Sequence, residues 1–347
     1  MKLLELMARL FCLPTSYNYP VNLHRGRFCR SAKLALTLVF TCFALAQSAT
    51  AQWVSLDPTF PAGSGPDRYV RTLAIQPDGR VLIGGPFTNV NETAVPLLAR
   101  LNSDGSLDSN FVAQVDQELT GIYPLPSGQI LISGSFTKVG SEPRPGLARL
   151  NADGTLDSGF VPPTALSPLW SSRLLAGVPA PDGSVFVTGY FTNLGGLPMN
   201  RLARLQSDGA VDPAFQSPFY PTNSVTVLTV QPDGKPIVSG GFTNIAGMNV
   251  TNLVRLNLDG SVDTTFRSAL APDKQVTRAL LQLDGRLLAV VAGWNPVWYS
   301  SSPQSLVRLK QDGSLDSSFA TQSAISEVIF SGPVVAMALQ TNGQILL

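Results

Sequence analysis

Five arginines and five aspartates recur along this chain at matching places. They are Arg100, Arg149, Arg204, Arg255 and Arg308, and Asp108, Asp157, Asp212, Asp263 and Asp316. A recurring guanidinium with a recurring carboxylate is either scaffold or a ring of binding groups. An arginine buried in every unit of a packed repeat needs an acidic or carbonyl partner, because an unpaired buried charge is strongly disfavoured. The in-register aspartate is the available one, so Arg100 is expected to pair with Asp108 or, across a repeat boundary, with Asp57. The competing reading is five ligand-binding arginines around a central axis. A feature needed by every unit is usually structural, and the structural reading is preferred. An Arg204→Ala variant that kept its melting temperature would count against it.

Other chemistry is limited by inventory. Cys12, Cys29, Cys42 and His24 all precede residue 52, and no cysteine or histidine follows. That removes His- or Cys-ligated zinc and the Ser-His-Asp and Cys-His mechanisms from the remainder. Glycoside hydrolysis by paired carboxylates needs two of them about 5–10 Å apart in a pocket. The aspartates here recur once per unit, at turn or outer-strand positions, which suits structure better. Asn102-x-Asp104-Gly105-x-x-Asp108 faintly resembles a calcium loop but lacks its further alternating acidic ligands and its closing glutamate. It reads as a tight Asp-Gly turn. No cofactor is expected, and Ca²⁺ is the one ion left open.

The elements that must position these residues are strands. Val70–Ile75 is β-branched and apolar, Gln76-Pro77-Asp78-Gly79 is a turn, and Arg80–Gly84 reads as a second strand ending near Phe87. Thr88–Pro96 reads as a polar loop and Leu97–Asn102 as a third strand. Ser103-Asp104-Gly105 is a second turn and Ser106–Phe111 a short fourth strand. The unit then repeats. The interval from first turn glycine to closing phenylalanine is 32 residues in Gly79–Phe111, Gly128–Phe160, Gly183–Phe215 and Gly234–Phe266, and 34 in Gly285–Phe319. A sixth unit starts at Gly343. Four strands per repeated unit of about 50 residues predicts an all-β fold, a β-propeller of four-stranded antiparallel blades. About five repeats are full (61–111, 112–160, 161–215, 216–266 and 267–319), and a sixth, 320–347, is split or truncated. The segment 54–60 could serve as its outer strand. A single-sheet meander and a parallel β-helix are the competing arrangements.

The joint pattern QPDG-apolar-GG-x-FT followed by ARLN-x-DGSLD-x-x-F resembles the delta-60 (delta-sixty) repeat of secreted bacterial β-propellers, over essentially all of residues 52–347. The resemblance implies a propeller-like fold in exported, often multidomain, proteins. It implies no catalytic residues. The fifth copy departs from the pattern: Val290 and Val291 replace the glycine pair, and Gly293 replaces the phenylalanine.

Residues 34–46 are an apolar run preceded by Arg25, Arg27, Arg30 and Lys33 and followed by Ala49-Thr50-Ala51. This is the form of a secretory signal peptide, residues 1–51, and too short a run to span a bilayer comfortably. A secreted or cell-surface protein is expected, with the propeller domain at 52–347 and no membrane span after cleavage. Residues 52–347 hold 18 basic and 22 acidic residues, a formal charge of −4, with no basic run. Nothing there points to nucleic acid.

Connectors between copies, from closing Phe to next turn Gly, run 19, 17, 23, 19, 19 and 24 residues, so length variation should collect on the connector face, opposite the Asp-Gly turns. Trp170, Phe219, Tyr220, Trp294, Trp298 and Tyr299 fall in connectors or in the fifth copy's longer loop. Aromatics on variable loops can stack on sugars or anchor a protein, or can fill space in the packing. The expected function is a non-catalytic binding scaffold whose partner is a protein or a glycan. The alternative is a carboxylate-based hydrolase or lyase on the same fold.

Overall fold

The computed structural model describes residues 63–163, 174–293, 304–319, 337–339 and 345–346. All belong to the compact unit Pro61–Leu347. The signal segment 1–51, Asp57 and Phe60 lie outside the described residues, as do Trp170, Trp294, Trp298 and Tyr299.

Five three-stranded antiparallel sheets follow one another, each with its second strand in the middle. The first is Thr72–Ile75, Val81–Gly84 and Leu98–Leu101. The second is Leu119–Pro124, Ile130–Gly134 and Leu147–Leu150, and the third Leu174–Pro179, Val185–Gly189 and Leu202–Leu205. The fourth is Val225–Val230, Pro236–Gly240 and Leu253–Arg255, and the fifth Lys274–Leu281, Leu287–Gly293 and Gln304–Leu309. Ala338–Leu339 pairs with Ile345–Leu346. First strands of consecutive blades touch one another, which makes them the innermost, and the sheets splay outward from them. The all-β propeller expected from the repeat is the fold.

The core lies between blades. Strand side chains alternate faces, and the middle strand is buried on both. Thus Ile130 and Ile132 pack toward Leu82 and Leu98 of the blade before, while Leu131 packs toward Val185 and Val187 of the blade after. The first three junctions also take the closing phenylalanine of one blade and the Phe-Thr phenylalanine of the next: Phe111 with Phe136, Phe160 with Phe191, and Phe215 with Phe242. That shared pocket is the physical reason both residues recur.

The fourth strand is reduced to a single residue pair in each blade: Leu101 with Leu107, Leu150 with Leu156, Leu205 with Val211, Leu256 with Val262 and Leu309 with Leu315. The chain turns away at the next residue. In the first blade Asp108 Oδ1 accepts the Asn110 N–H at 3.0 Å, and the Phe111 N–H donates to the Asp108 carbonyl at 3.2 Å.

The segment Thr88–Pro96 is not an irregular loop. Asn89–Val90 pairs with Thr93–Ala94, and the same small hairpin recurs as Lys138–Val139 with Glu142–Pro143 and as Asn193–Leu194 with Leu197–Pro198. In the fourth blade a single Ile245–Met248 bridge remains. Asn91 and Glu92 both have positive φ, as do Gly195 with Gly196 and Ala246 with Gly247, which is the turn geometry that matches strand twist.

The fifth blade shows what the glycine pair does elsewhere. A Cβ on Gly85, Gly134 or Gly240 would lie 2.4, 2.3 or 1.9 Å from the carbonyl oxygen of Tyr69, Glu118 or Ser224, so the connector curls tightly over each glycine. In the fifth blade the β-branched Val290 and Val291 continue the ladder instead, pairing with Leu306 and Ser305. Its middle strand is correspondingly seven residues long, against four in the first blade.

Candidate functional site

The two Asp-Gly turns of a blade lie side by side. Ser103, Ala152, Ser207 and Leu258 of the second turns are the nearest neighbours of Gly79, Gly128, Gly183 and Gly234 of the first. The Gln76 N–H donates to the Arg80 carbonyl and the Gly79 N–H to the Gln76 carbonyl, a three-residue turn in which glycine alone needs positive φ, here 83°. Clefts open between adjacent blades on this face. One of about 510 Å³ lies between the fourth and fifth blades, lined by Gln231, Pro232, Asp233, Arg255, Gln282 and Leu283 among others. One of about 250 Å³ lies between the first and second, with Gln76, Arg80, Arg100 and Leu125 among its lining residues.

Arg100 and Arg255 line these clefts, and like the other recurring arginines they are engaged by protein partners. Nε of Arg100, Arg149, Arg255 and Arg308 lies 2.8, 2.6, 2.8 and 2.8 Å from Oδ2 of Asp108, Asp157, Asp263 and Asp316. The pairing is within a blade, the first of the two options the sequence left open. Nη1 then crosses to the next blade: from Arg100 to the Ala152 carbonyl, from Arg149 to the Ser207 carbonyl at 2.7 Å, and from Arg255 to the Gln311 carbonyl at 2.8 Å. The guanidinium also lies over the closing phenylalanine, 4.6 Å from the Phe111 centroid for Arg100 and 4.8 Å from Phe160 for Arg149. One side chain therefore joins its own outer turn, its own aromatic and the neighbouring blade.

Arg204 is the exception. It reaches Asp212 only through Nη1, at 3.3 Å, and turns instead to Ser184 Oγ and the Asp182 carboxylate. The cause is one residue after the first turn glycine. Elsewhere a long polar side chain there also approaches the recurring aspartate: Arg80 and Asp108 at 3.3 Å, Gln129 and Asp157 at 2.8 Å, Lys235 and Asp263 at 2.8 Å, and Arg286 and Asp316 at 3.4 Å. Ser184 is too short to reach Asp212 and bonds Asp182 instead. The sequence carried this position in every copy, but its residue types vary too much to stand out.

A second missed residue is Asp67, with its counterpart Asp116. Asp67 accepts from the Thr88 N–H at 2.8 Å, the Thr88 hydroxyl at 2.6 Å and the Asn89 N–H at 3.1 Å. Asp116 receives the same donors from Thr137 and Lys138. This clamp between connector and small hairpin explains the threonine of the Phe-Thr pair.

Asp108, Asp157, Asp263 and Asp316 are held in their charged form. Burial alone would push the Asp263 carboxyl up. Hydrogen bonds from Lys235 and Thr265 and the Arg255 charge outweigh it and hold the group well below the usual carboxylate range. At Asp316 the Ser318 hydroxyl is the largest influence; with the Ser318 N–H and Arg308 it overcomes desolvation and brings the pKa down to about 2. A depressed folded-state pKa stabilises the fold above the unfolded-state value and loses that contribution as pH falls through the folded one. Thermal melts are therefore expected to be flat from neutral pH to about 4.5 and to fall steeply between about pH 4 and 2. A melting temperature independent of pH down to 2 would contradict these assignments.

In the turn that resembles a calcium loop, Asp104 Oδ1 accepts from both the N–H and hydroxyl of Ser106, at 2.9 and 2.7 Å. Among the described residues no three Asp, Glu, His or Cys side chains converge as metal ligands.

Of the connector aromatics, two are described. Phe219 is not a surface aromatic as expected from its connector: it is 2% exposed and packs at 5.4 Å on Phe242, filling the junction between third and fourth blades. Tyr220, beside it, is 51% exposed. Tyr69 and Tyr190, which the sequence did not single out, are 57% and 46% exposed.

A solved protein of unknown function from Bacteroides caccae is similar to this chain at 16% identity, covering 75% of this chain and 82% of that one with a TM-score of 0.45. No curated protein matches. A family model described as a domain of unknown function (DUF5122) β-propeller matches residues 76–111, 125–160, 180–215, 231–266 and 282–319. These segments are the five blades from first turn to closing phenylalanine, more than half of the chain, and the chain belongs to the DUF5122 β-propeller family.

Proposed function

We propose that the chain is a non-catalytic binding scaffold, exported by its amino-terminal segment and working at the cell surface or outside the cell. One observation carries the first part: the ionisable residues repeated in every described blade are bonded to one another and to neighbouring backbone. The aspartate of each blade faces cations and amides rather than a second carboxylate, which is the opposite of a glycosidase pair. Partner recognition then falls to the side chains that differ between blades, concentrated in the connectors. Export is supported by the basic-then-apolar segment ahead of Ala49-Thr50-Ala51 and by a remainder without cysteine. The binding partner in this reading is a glycan or a protein, with no cofactor needed.

The test is a glycan array run beside chromogenic glycosides with the full chain. Retention of a ligand without turnover is the expected result. Turnover abolished by one Asp or Glu substitution would replace this reading with the carboxylate enzyme.

A further inference from the structure

We propose that Tyr190, Arg201 and Tyr220 form a subsite for an anionic sugar ring, a uronate unit of an acidic polysaccharide, on the connector face where the third and fourth blades meet. The proposal rests on the scaffold reading and gives its ligand a chemical class.

The argument begins with Arg201, the residue just before the third strand of its blade. Its counterparts are Leu97, Gly146 and Asn252, and all four have positive φ: 67°, 81°, 64° for Arg201 and 58° for Asn252. The backbone there demands the left-handed region, for which glycine and asparagine are the suited residues. Asn252 shows what the fold requires of the side chain. Its Nδ2 donates to the Pro272 carbonyl at 2.8 Å and the Lys274 carbonyl at 2.9 Å, tying the blade to the following connector. Arg201 makes the same tie, through Nε and Nη2 to the Pro221 carbonyl. A neutral amide therefore suffices for the structural task.

What arginine adds is beyond that task. Its guanidinium carbon lies 4.8 Å from the centroid of Tyr190, which is 46% exposed. Its Nη1 is buried without a hydrogen-bond partner. Among the described residues no carboxylate pairs with it, in contrast to all five recurring arginines. An unsatisfied charged donor is disfavoured, and an incoming carboxylate that drew Nη1 out would satisfy it. Tyr220, half exposed, is the chain neighbour of Pro221, whose carbonyl Arg201 holds.

A half-exposed phenol ring stacked on a cation, with a second exposed tyrosine one residue from the carbonyl that cation holds, suits a flat ring that stacks by its C–H face and presents a carboxylate. A protein hot spot favours a fully desolvated pocket instead. The neighbouring aromatic Phe219 is committed to the core, which fixes the backbone under Tyr220.

The experiment compares the full chain with Arg201→Asn and Tyr220→Ala by calorimetry against polygalacturonate, a neutral dextran and polyglutamate. Arg201→Asn copies the fourth blade, so its melting temperature should not fall. Binding of polygalacturonate by the parent chain and its weakening by about tenfold or more in each variant is the expected result. Dextran should not bind. No binding of polygalacturonate, or equal binding by Arg201→Asn and the parent, overturns the subsite. Binding of polyglutamate as tightly as polygalacturonate overturns the sugar assignment. Should Arg201→Asn fail to fold, Tyr220→Ala alone decides, because its side chain is at the surface. Ligand binding insensitive to both variants would sink this subsite and leave the scaffold reading standing; turnover of the polysaccharide would sink the scaffold reading itself.

Discussion

Replacing Gly260 by alanine is expected to destabilise the fold by roughly 3–5 kcal/mol, through strain and a backbone clash acting together. Gly260 ends the second turn of the fourth blade with φ at 90°. A Cβ there would sit 2.0 Å from the Gln216 carbonyl oxygen, on the chain leaving the third blade. That atom is main chain and cannot swing aside. The same segment donates the Gln216 N–H to the Asp259 carbonyl at 2.8 Å, so relieving the clash would break a strap between blades. Gly154, Gly209 and Gly313 meet the preceding blade's backbone in the same way, at 3.0, 2.8 and 2.6 Å. Gly247 provides the control. Its φ is 80°, but nothing lies within 4 Å of a Cβ there, so Gly247→Ala should lose only about 1 kcal/mol from the left-handed backbone. Equal losses at the two positions, measured by urea denaturation, would refute the blade-to-blade origin of the effect.

Arg255→Ala is the second large effect, expected at roughly 2–4 kcal/mol. The Arg255 and Asp263 side chains are 10% and 4% exposed, so removing the cation strands a buried carboxylate. The Gln311 carbonyl of the next blade and the Thr265 hydroxyl lose their donor as well. Breaking a buried pair from one side generally destabilises by about 3–5 kcal/mol; here Lys235, 2.8 Å from Asp263, keeps part of the compensation. The loss should shrink as pH falls below about 4, because protonating Asp263 removes the stranded charge. A variant equally destabilised at pH 3 and pH 7 would point to lost packing on Phe266 instead, whose ring centroid is 5.2 Å away.

The sequence revealed what is the same in every blade. The Asp-Gly turns, the Arg–Asp pairs and the closing phenylalanines were legible because each is set by a demand that every junction repeats. A positive φ under a neighbouring backbone admits only glycine, and a buried guanidinium admits only a matching acceptor. What was missed is what different residues can satisfy. The small hairpin within Thr88–Pro96 is turned by Asn91-Glu92 in one blade, Gly195-Gly196 in another and Ala246-Gly247 in a third, so no motif announces it. The second donor to four of the five aspartates is Arg80, Gln129, Lys235 or Arg286, alike in length and polarity rather than in name. Phe219 read as a surface aromatic because it sits in a connector, yet that connector dips into the junction core. Tyr190 and Arg201 stood out in no pattern for the opposite reason, since each occurs at its position in a single blade. A scaffold is written in what recurs, whereas a binding site on it is written in departures.

The central claim is that the recurring arginines hold blades together rather than hold a ligand. A double-mutant cycle on Arg255→Ala and Asp263→Asn, read by equilibrium unfolding, measures this most directly. A coupling of about 1 kcal/mol or more, with ligand binding by Asp263→Asn unchanged, is what a structural pair requires. Unfolding free energies that simply add, or stability kept in Arg255→Ala while binding is lost, would show the arginines to be a binding ring instead.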